Sequence, residues 1–131
     1  RFLAERVFAC EMSGIDKRRI VVDPGFGFGK TLDHNLALLA QLHRFTEIGV
    51  PVLAGLSRKS SLGQITGRGV ESRVAASVAA HLVAVQNGAM LVRVHDVAAT
   101  VDALKVWAAV AAVPTPRRPS AAPAIRWPDD E

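Results

Sequence analysis

Apolar positions fall along the chain in an order that predicts helices alternating with short strands. Leu3, Val7 and Cys10 share one side of a helix over residues 1–12, and Gly14 closes it. Ile20, Val21 and Val22 form a β-branched run, as in a buried parallel strand, and Asp23-Pro24 ends it because proline fixes φ and lacks a donor. Residues 33–48 carry Leu38, Leu39, Leu42 and Phe45 at helical spacing, with Asp33 as the expected N-cap. Gly49 stops that helix, and 51–56 make a second strand. Residues 57–69 read as a polar loop with room for a short helical turn. A third helix is expected over 71–86, with Val74, Val78, Leu82 and Val85 as its stripe, and Gly88 ends it. Residues 89–95 make the third strand. Asp96 is expected to cap a last helix with Val97, Val101, Leu104 and Ala108 on its apolar side.

Strand starts near residues 19, 51 and 89 are about 32 and 38 residues apart, which fits successive right-handed βα units of a parallel sheet or barrel. From Pro114 the pattern changes. Five of the seven prolines lie between 114 and 128, so 113–131 read as a disordered proline-rich tail and 1–112 as the folded part.

Composition narrows the function classes. The chain has 131 residues, 50% of them hydrophobic, which suits one packed domain. A net charge of +4 invites nucleic acid, but aromatics are 5% and tyrosine is absent, so base-stacking platforms are lacking. Cys10 is the only cysteine, which excludes an intrachain disulfide and fits a reducing, cytoplasmic setting. No apolar run approaches the ~20 residues of a membrane span.

The chemistry concentrates where strands end, the place parallel α/β proteins build their sites. Asp23 offers a carboxylate that can take two parallel N–H donors from the edge of a flat heterocycle; its plainer reading is a turn-starting Asp-Pro. Gly25 to Thr31 lacks the first glycine of a P-loop, because that position is Pro24. The glycines still permit close backbone approach, and Phe26 with Phe28 could form an aromatic wall or lie in the core. Ser57-Arg58-Lys59-Ser60 supplies two cations and two hydroxyls, or is merely a solvated basic loop. Arg93 and His95, two apart on a strand, share a face and suit a diphosphate. His34, His43 and His81 share no metal-ligand spacing.

Taken together, Asp23-Pro24-Gly25-Phe26-Gly27-Phe28-Gly29-Lys30 with His34-Asn35, Ser57-Arg58-Lys59-Ser60, and Arg93-Val94-His95-Asp96 resemble dihydropteroate synthase of the folate pathway, in order and in spacing, over about residues 1–112. The resemblance implies a TIM (β/α)8 barrel of which this chain carries only about the last three βα units, since a full barrel takes about 250 residues. The N-terminal half, with the loops that close over substrate and metal, would lie elsewhere. The implied reaction joins 4-aminobenzoate to (7,8-dihydropterin-6-yl)methyl diphosphate, releasing diphosphate and 7,8-dihydropteroate.

The resemblance assigns roles residue by residue. Asp23 would hold the pterin's 2-amino and N3 edge, Lys59 its carbonyl side, and Gly55 would leave room for the ring. Arg93 would line the pterin and anion site, and His95 would hold the departing diphosphate. Phe28 and Ser60 would border the aminobenzoate pocket, where sulfonamides compete. Lys59, Arg93 and His95 are the expected catalytic groups. Mg²⁺ is implied, held mainly by the substrate diphosphate and the N-terminal part, as is a homodimer built through the late helices. Two other readings compete: a non-catalytic binding or dimerisation module, and another pterin-binding barrel such as a methyltetrahydrofolate methyltransferase domain.

Overall fold

In a parallel sheet the strands are separated by helices that must bury one face against them. That logic governs the computed structural model, which describes residues 1–115. Helix α1 spans Phe2–Met12 and is followed by a 3₁₀ turn at Lys17–Arg19. Helices α2 (Leu32–Ala40) and α3 (His43–Thr46) precede strand β1 (Leu53–Ala54). Helix α4 (Ser60–Thr66), a second 3₁₀ turn (Val70–Ser72), α5 (Val74–Gln86), β2 (Leu91–Val92) and α6 (Val97–Ala111) complete the order. None of these helices is long and apolar enough to cross a membrane. The proline-rich tail expected over 113–131 lies, from residue 116 on, outside the described residues.

β1 and β2 pair in parallel, Leu53 opposite Leu91 and Ala54 opposite Val92. The segment expected as the first strand contributes a single parallel bridge, Val22 to Val52. Its bonds are Val22 N–H to Pro51 O at 3.0 Å and Leu53 N–H to Val22 O at 2.8 Å. The three segments thus lie side by side in chain order, as successive units of a barrel wall do. The paired stretches are far shorter than the strands expected over 20–22, 51–56 and 89–95.

The core lies on one face of this wall. Val22, Val52, Ala54 and Leu56 alternate onto the helix side with Phe26, Leu42, Leu62, Ala80 and Ala84, all buried. Val21 and Leu91 remain exposed, so the strands are not buried on both faces as their apolar runs predict.

Several helices differ from their sequence patterns. The helix expected over 33–48 breaks at Gln41 and Leu42 into α2 and α3. Its cap is Thr31, whose hydroxyl accepts from the His34 N–H at 3.2 Å, while Asp33 sits inside the first turn. The polar loop 57–69 contains the seven-residue α4. In α5 the buried positions are Ser77, Ala80, His81 and Ala84, whereas Val74, Val78, Leu82 and Val85 are half-buried. The small residues Ala80 and Ala84 are buried on this helix, which packs against α2, α4, α6 and β2. In α6, Val97 and Val101 are exposed, Leu104 is half-buried and Thr100 is the buried residue.

Candidate active site at the strand ends

The first rim segment is a glycine turn. Asp23 accepts the Gly25 N–H at 2.8 Å, so the turn-starting role of Asp-Pro is real and engages one carboxylate oxygen. Gly25, Gly27 and Gly29 have φ of 76°, 83° and 62°, a region where an L side chain is strained; glycine is therefore required for this path. Lys30 folds back onto its own loop, donating to Gly25 O at 2.8 Å. Asn35, buried on α2, accepts from the Gly27 N–H at 2.9 Å and donates to Ser61 at 2.9 Å, tying the turn to α4. The two phenyl rings separate: Phe26 is 1% exposed and Phe28 70%. They do not form one aromatic wall. Phe26 fills the core, and only Phe28 faces the rim.

The second segment follows β1. Lys59 donates to the Phe26 carbonyl and lies 4.8 Å from the centre of the Phe28 ring. Burial pushes its ammonium below the usual lysine range; Asp23 opposes that shift, and Arg93 and Lys30 reinforce it. Ser60 is exposed at the start of α4. Arg58 is not a free rim cation. Its guanidinium forms a two-point pair with Asp96, Nη2 to Oδ1 at 2.6 Å and Nε to Oδ2 at 3.1 Å. The pair holds the Asp96 carboxyl below its ordinary range and raises Arg58. Asp96 therefore spends its side chain on Arg58 instead of capping α6, where Thr100 Oγ1 donates to the Asp96 carbonyl at 2.8 Å. Arg58 has φ 54°, a left-handed conformation costing about 1–2 kcal/mol for a side-chain-bearing residue.

The third segment follows β2. The Ser57 hydroxyl accepts the His95 N–H at 3.0 Å and lies 2.7 Å from His95 Nδ1. The Arg93 guanidinium lies over Gly55: a Cβ there would sit 3.1 Å from Nη2. Gly55, Ser57, Lys59, Arg93, Val94 and His95 together line a cavity of about 130 Å³. Of the expected site residues, Gly55, Lys59, Arg93 and His95 thus meet in one hollow. Asp23 is an electrostatic neighbour of Lys59, Phe28 packs beside it, and Ser60 lies off the cavity lining. A larger hollow of about 590 Å³ between α1 and the α2–α3 region is lined by residues such as His34, Gln41 and Phe45 and holds none of the strand-end groups.

Ser57, Arg58 and Asp96 stood in the quoted motifs without individual roles, and Ser61, Arg73, Ser77 and His81 in none. Their tie to the site is long-range, and no local spacing announces it. Among the described residues no three His, Cys, Asp or Glu groups gather to hold a metal, and Asp96 is already paired. The donor set among the described residues does not by itself make a magnesium site.

Parallel βα units with an acid, a lysine, an arginine and a histidine at the strand ends place this chain in the class of parallel βα barrels, with its polar groups gathered at the rim. Comparison with known proteins sharpens that class. The family profile described as pterin binding enzyme matches residues 1–95. The chain belongs to this family. It is 53% identical over 110 residues to dihydropteroate synthase of Haemophilus influenzae, covering 84% of this chain and 40% of that protein. With the Escherichia coli K12 enzyme of the same name it shares 45% over 106 residues, covering 81% and 38%. The chain thus spans about two-fifths of the length of these curated relatives.

Solved structures agree. Dihydropteroate synthase from Xanthomonas albilineans in complex with 7,8-dihydropteroate superposes with a TM-score of 0.86 at 70% identity, over 87% of this chain and 44% of that one. The Yersinia pestis enzyme gives 0.83 at 42% identity, over 86% and 53%. The resemblance to dihydropteroate synthase and the TIM-barrel fold class both hold, the chain matching part of a barrel.

Proposed function

We propose that this chain supplies the pterin- and diphosphate-binding part of a dihydropteroate synthase. The observation that carries the proposal is the single cavity shared by Gly55, Lys59, Arg93 and His95, beside Asp23. The comparison with relatives solved with 7,8-dihydropteroate and with 4-aminobenzoic acid supports the same substrates here.

Each group has a chemical task. Asp23 accepts from the pterin's 2-amino and N3 donors, fixing the orientation of a flat ring. Lys59 donates to the pterin carbonyl side, and Gly55 leaves the ring room to lie beside β1. The amine of 4-aminobenzoate, bordered by Phe28 and Ser60, attacks the pterin methylene carbon. The new C–N bond forms as the C–O bond breaks, the electron pair leaves with diphosphate, and the amine releases a proton. Arg93 and His95 stabilise the charge that grows on the departing diphosphate. Magnesium belongs to this proposal only as a companion of the substrate diphosphate. The proposal also includes cytoplasmic action, in keeping with a lone cysteine, and a homodimer through the late helices, supported by exposed Val106 and Val110 on α6.

The test is dihydropteroate formation from the two substrates with magnesium, by the purified chain alone and mixed with residues of the Haemophilus influenzae relative that precede the matched part. Product in the mixture is expected, because eight strands are needed to close the barrel. No product in either case would overturn the proposal. Gel filtration checks the dimer.

A further inference from the structure

Three side chains on one face of α5 and its N-cap meet the turn that carries Lys59. Arg73, Ser77 and His81 are spaced at i, i+4 and i+8, one above another on the helix. Arg73 Nη1 donates to the Arg58 carbonyl at 2.9 Å. The Ser77 hydroxyl accepts the Arg58 N–H at 2.8 Å. His81 Nε2 accepts the Leu56 N–H at 3.2 Å, while its Nδ1 lies 2.6 Å from the Ser77 carbonyl oxygen. Ser77 is 2% exposed and His81 0%.

The partners dictate the form of the imidazole. A carbonyl oxygen only accepts, so Nδ1 carries the proton; an amide N–H only donates, so Nε2 carries none. A protonated His81 would leave the Leu56 N–H facing another donor. Burial keeps this ring less basic than an ordinary histidine, and the nearby Lys59 charge adds to the effect.

Why would a helix spend buried polar groups here? The turn they hold is strained: Arg58 sits at φ 54° without being glycine. Such a conformation persists only where surrounding contacts over-determine it. Lys59 is the next residue, and its ammonium must reach past the Gly27 backbone to the rim.

We infer that Ser77 and His81 are positioning residues for Lys59: by holding the N–H groups of Arg58 and Leu56 they fix the kinked turn from which Lys59 reaches the pterin side of the site. The inference rests on the proposed function for its effect on binding, but its structural half stands on the hydrogen bonds alone.

The experiment uses the full 131-residue chain, NMR amide exchange, and calorimetry with 6-hydroxymethylpterin, all well below each variant's Tm. His81→Leu removes the acceptor for the Leu56 N–H. His81→Gln places a carbonyl oxygen near the position of Nε2 and is the rescue. Exchange at Leu56 and Arg58 should speed up about tenfold or more in His81→Leu, and pterin affinity should fall about tenfold, the usual scale for orphaning a buried donor. His81→Gln should return both to within about threefold. A purely structural role would lower Tm and leave affinity unchanged. If His81→Leu does not fold, Ser77→Ala, which deletes only a hydroxyl, carries the same test at Arg58. Wild-type affinity in a folded His81→Leu or Ser77→Ala, no rescue by glutamine, or a proton found on Nε2 by ¹⁵N NMR would overturn the inference. Failure of the wild-type chain to bind the pterin would count against the proposed function, and unchanged exchange in the variants against the positioning turn.

Discussion

Arg58 and Asp96 stand 38 residues apart in sequence and join the turns after β1 and β2 through two hydrogen bonds, the shorter 2.6 Å. The pair is more than a surface ornament. It ties a residue in a left-handed conformation to the turn that presents His95, joining the turns that carry Lys59 and His95.

That pair gives stability a specific acid limit. Asp96's folded pKa lies below its ordinary value of 3.8, with the Arg58 hydrogen bonds as the main cause. Between those two values the unfolded chain binds more protons, so stability rises with pH there. The contribution is fully present above about pH 4 and is lost as pH falls through the folded pKa. Asp96→Asn should therefore be less stable than the wild type at pH 7 and lose less stability between about pH 4 and pH 2. Urea denaturation across that range checks it; parallel curves for the two proteins would contradict it.

Asp23 should decide pterin binding through its charge. Asp23→Asn keeps an oxygen for the Gly25 N–H, so the turn survives. It loses the ionised acceptor for two parallel donors, a change worth about tenfold or more in affinity. Asp23→Ala should abolish binding. Calorimetry with 6-hydroxymethylpterin reads both, and equal affinity in all three proteins would remove Asp23 from the site.

Gly55→Ala should separate site from fold. The three nearest neighbours of the added Cβ would all be Arg93 side-chain atoms, Nη2 at 3.1 Å first. A guanidinium is the far end of a flexible side chain and can yield, so Tm should change little. The cavity shrinks and Arg93 shifts, so affinity for inorganic pyrophosphate should drop about tenfold, the scale of one charge-assisted contact. A large fall in Tm with unchanged pyrophosphate affinity would reverse the assignment.

The two phenylalanines of the glycine turn should behave oppositely. Phe26 is buried among the core side chains, so Phe26→Ala should cost about 3–5 kcal/mol. Phe28 is exposed, so Phe28→Ala should stay within about 0.5 kcal/mol of the wild type in stability. Phe28→Ala should instead weaken 4-aminobenzoate binding in the reconstituted enzyme. Denaturation midpoints and KM values distinguish the two.

The strand ends were legible in the sequence because each couples an apolar run to a polar turn, and both features are local. The order of elements and the motif blocks required no knowledge of contacts. Asp23, Lys59, Arg93 and His95 came from the same signal. Burial within helices was less legible. In α5 the periodic valines point to one stripe, yet Ser77 and His81 are buried along with Ala80 and Ala84, because the turn after β1 offers the two polar side chains backbone partners. Hydrophobic periodicity cannot register a buried polar side chain whose partner lies 19 or 25 residues away.

The sequence by itself determined the alternation of helices and strands, the parallel βα arrangement, and the rim chemistry, since propensity, periodicity and turn residues act over a few positions. Only the tertiary structure decided which of the rim charges are available. Arg58 and Asp96 neutralise one another, Lys59 is drawn over Phe28, and Phe26 is withdrawn into the core. The reason is geometric: a charge is free or paired according to what the folded chain sets within a few ångströms of it, and those neighbours come from turns separated by whole βα units.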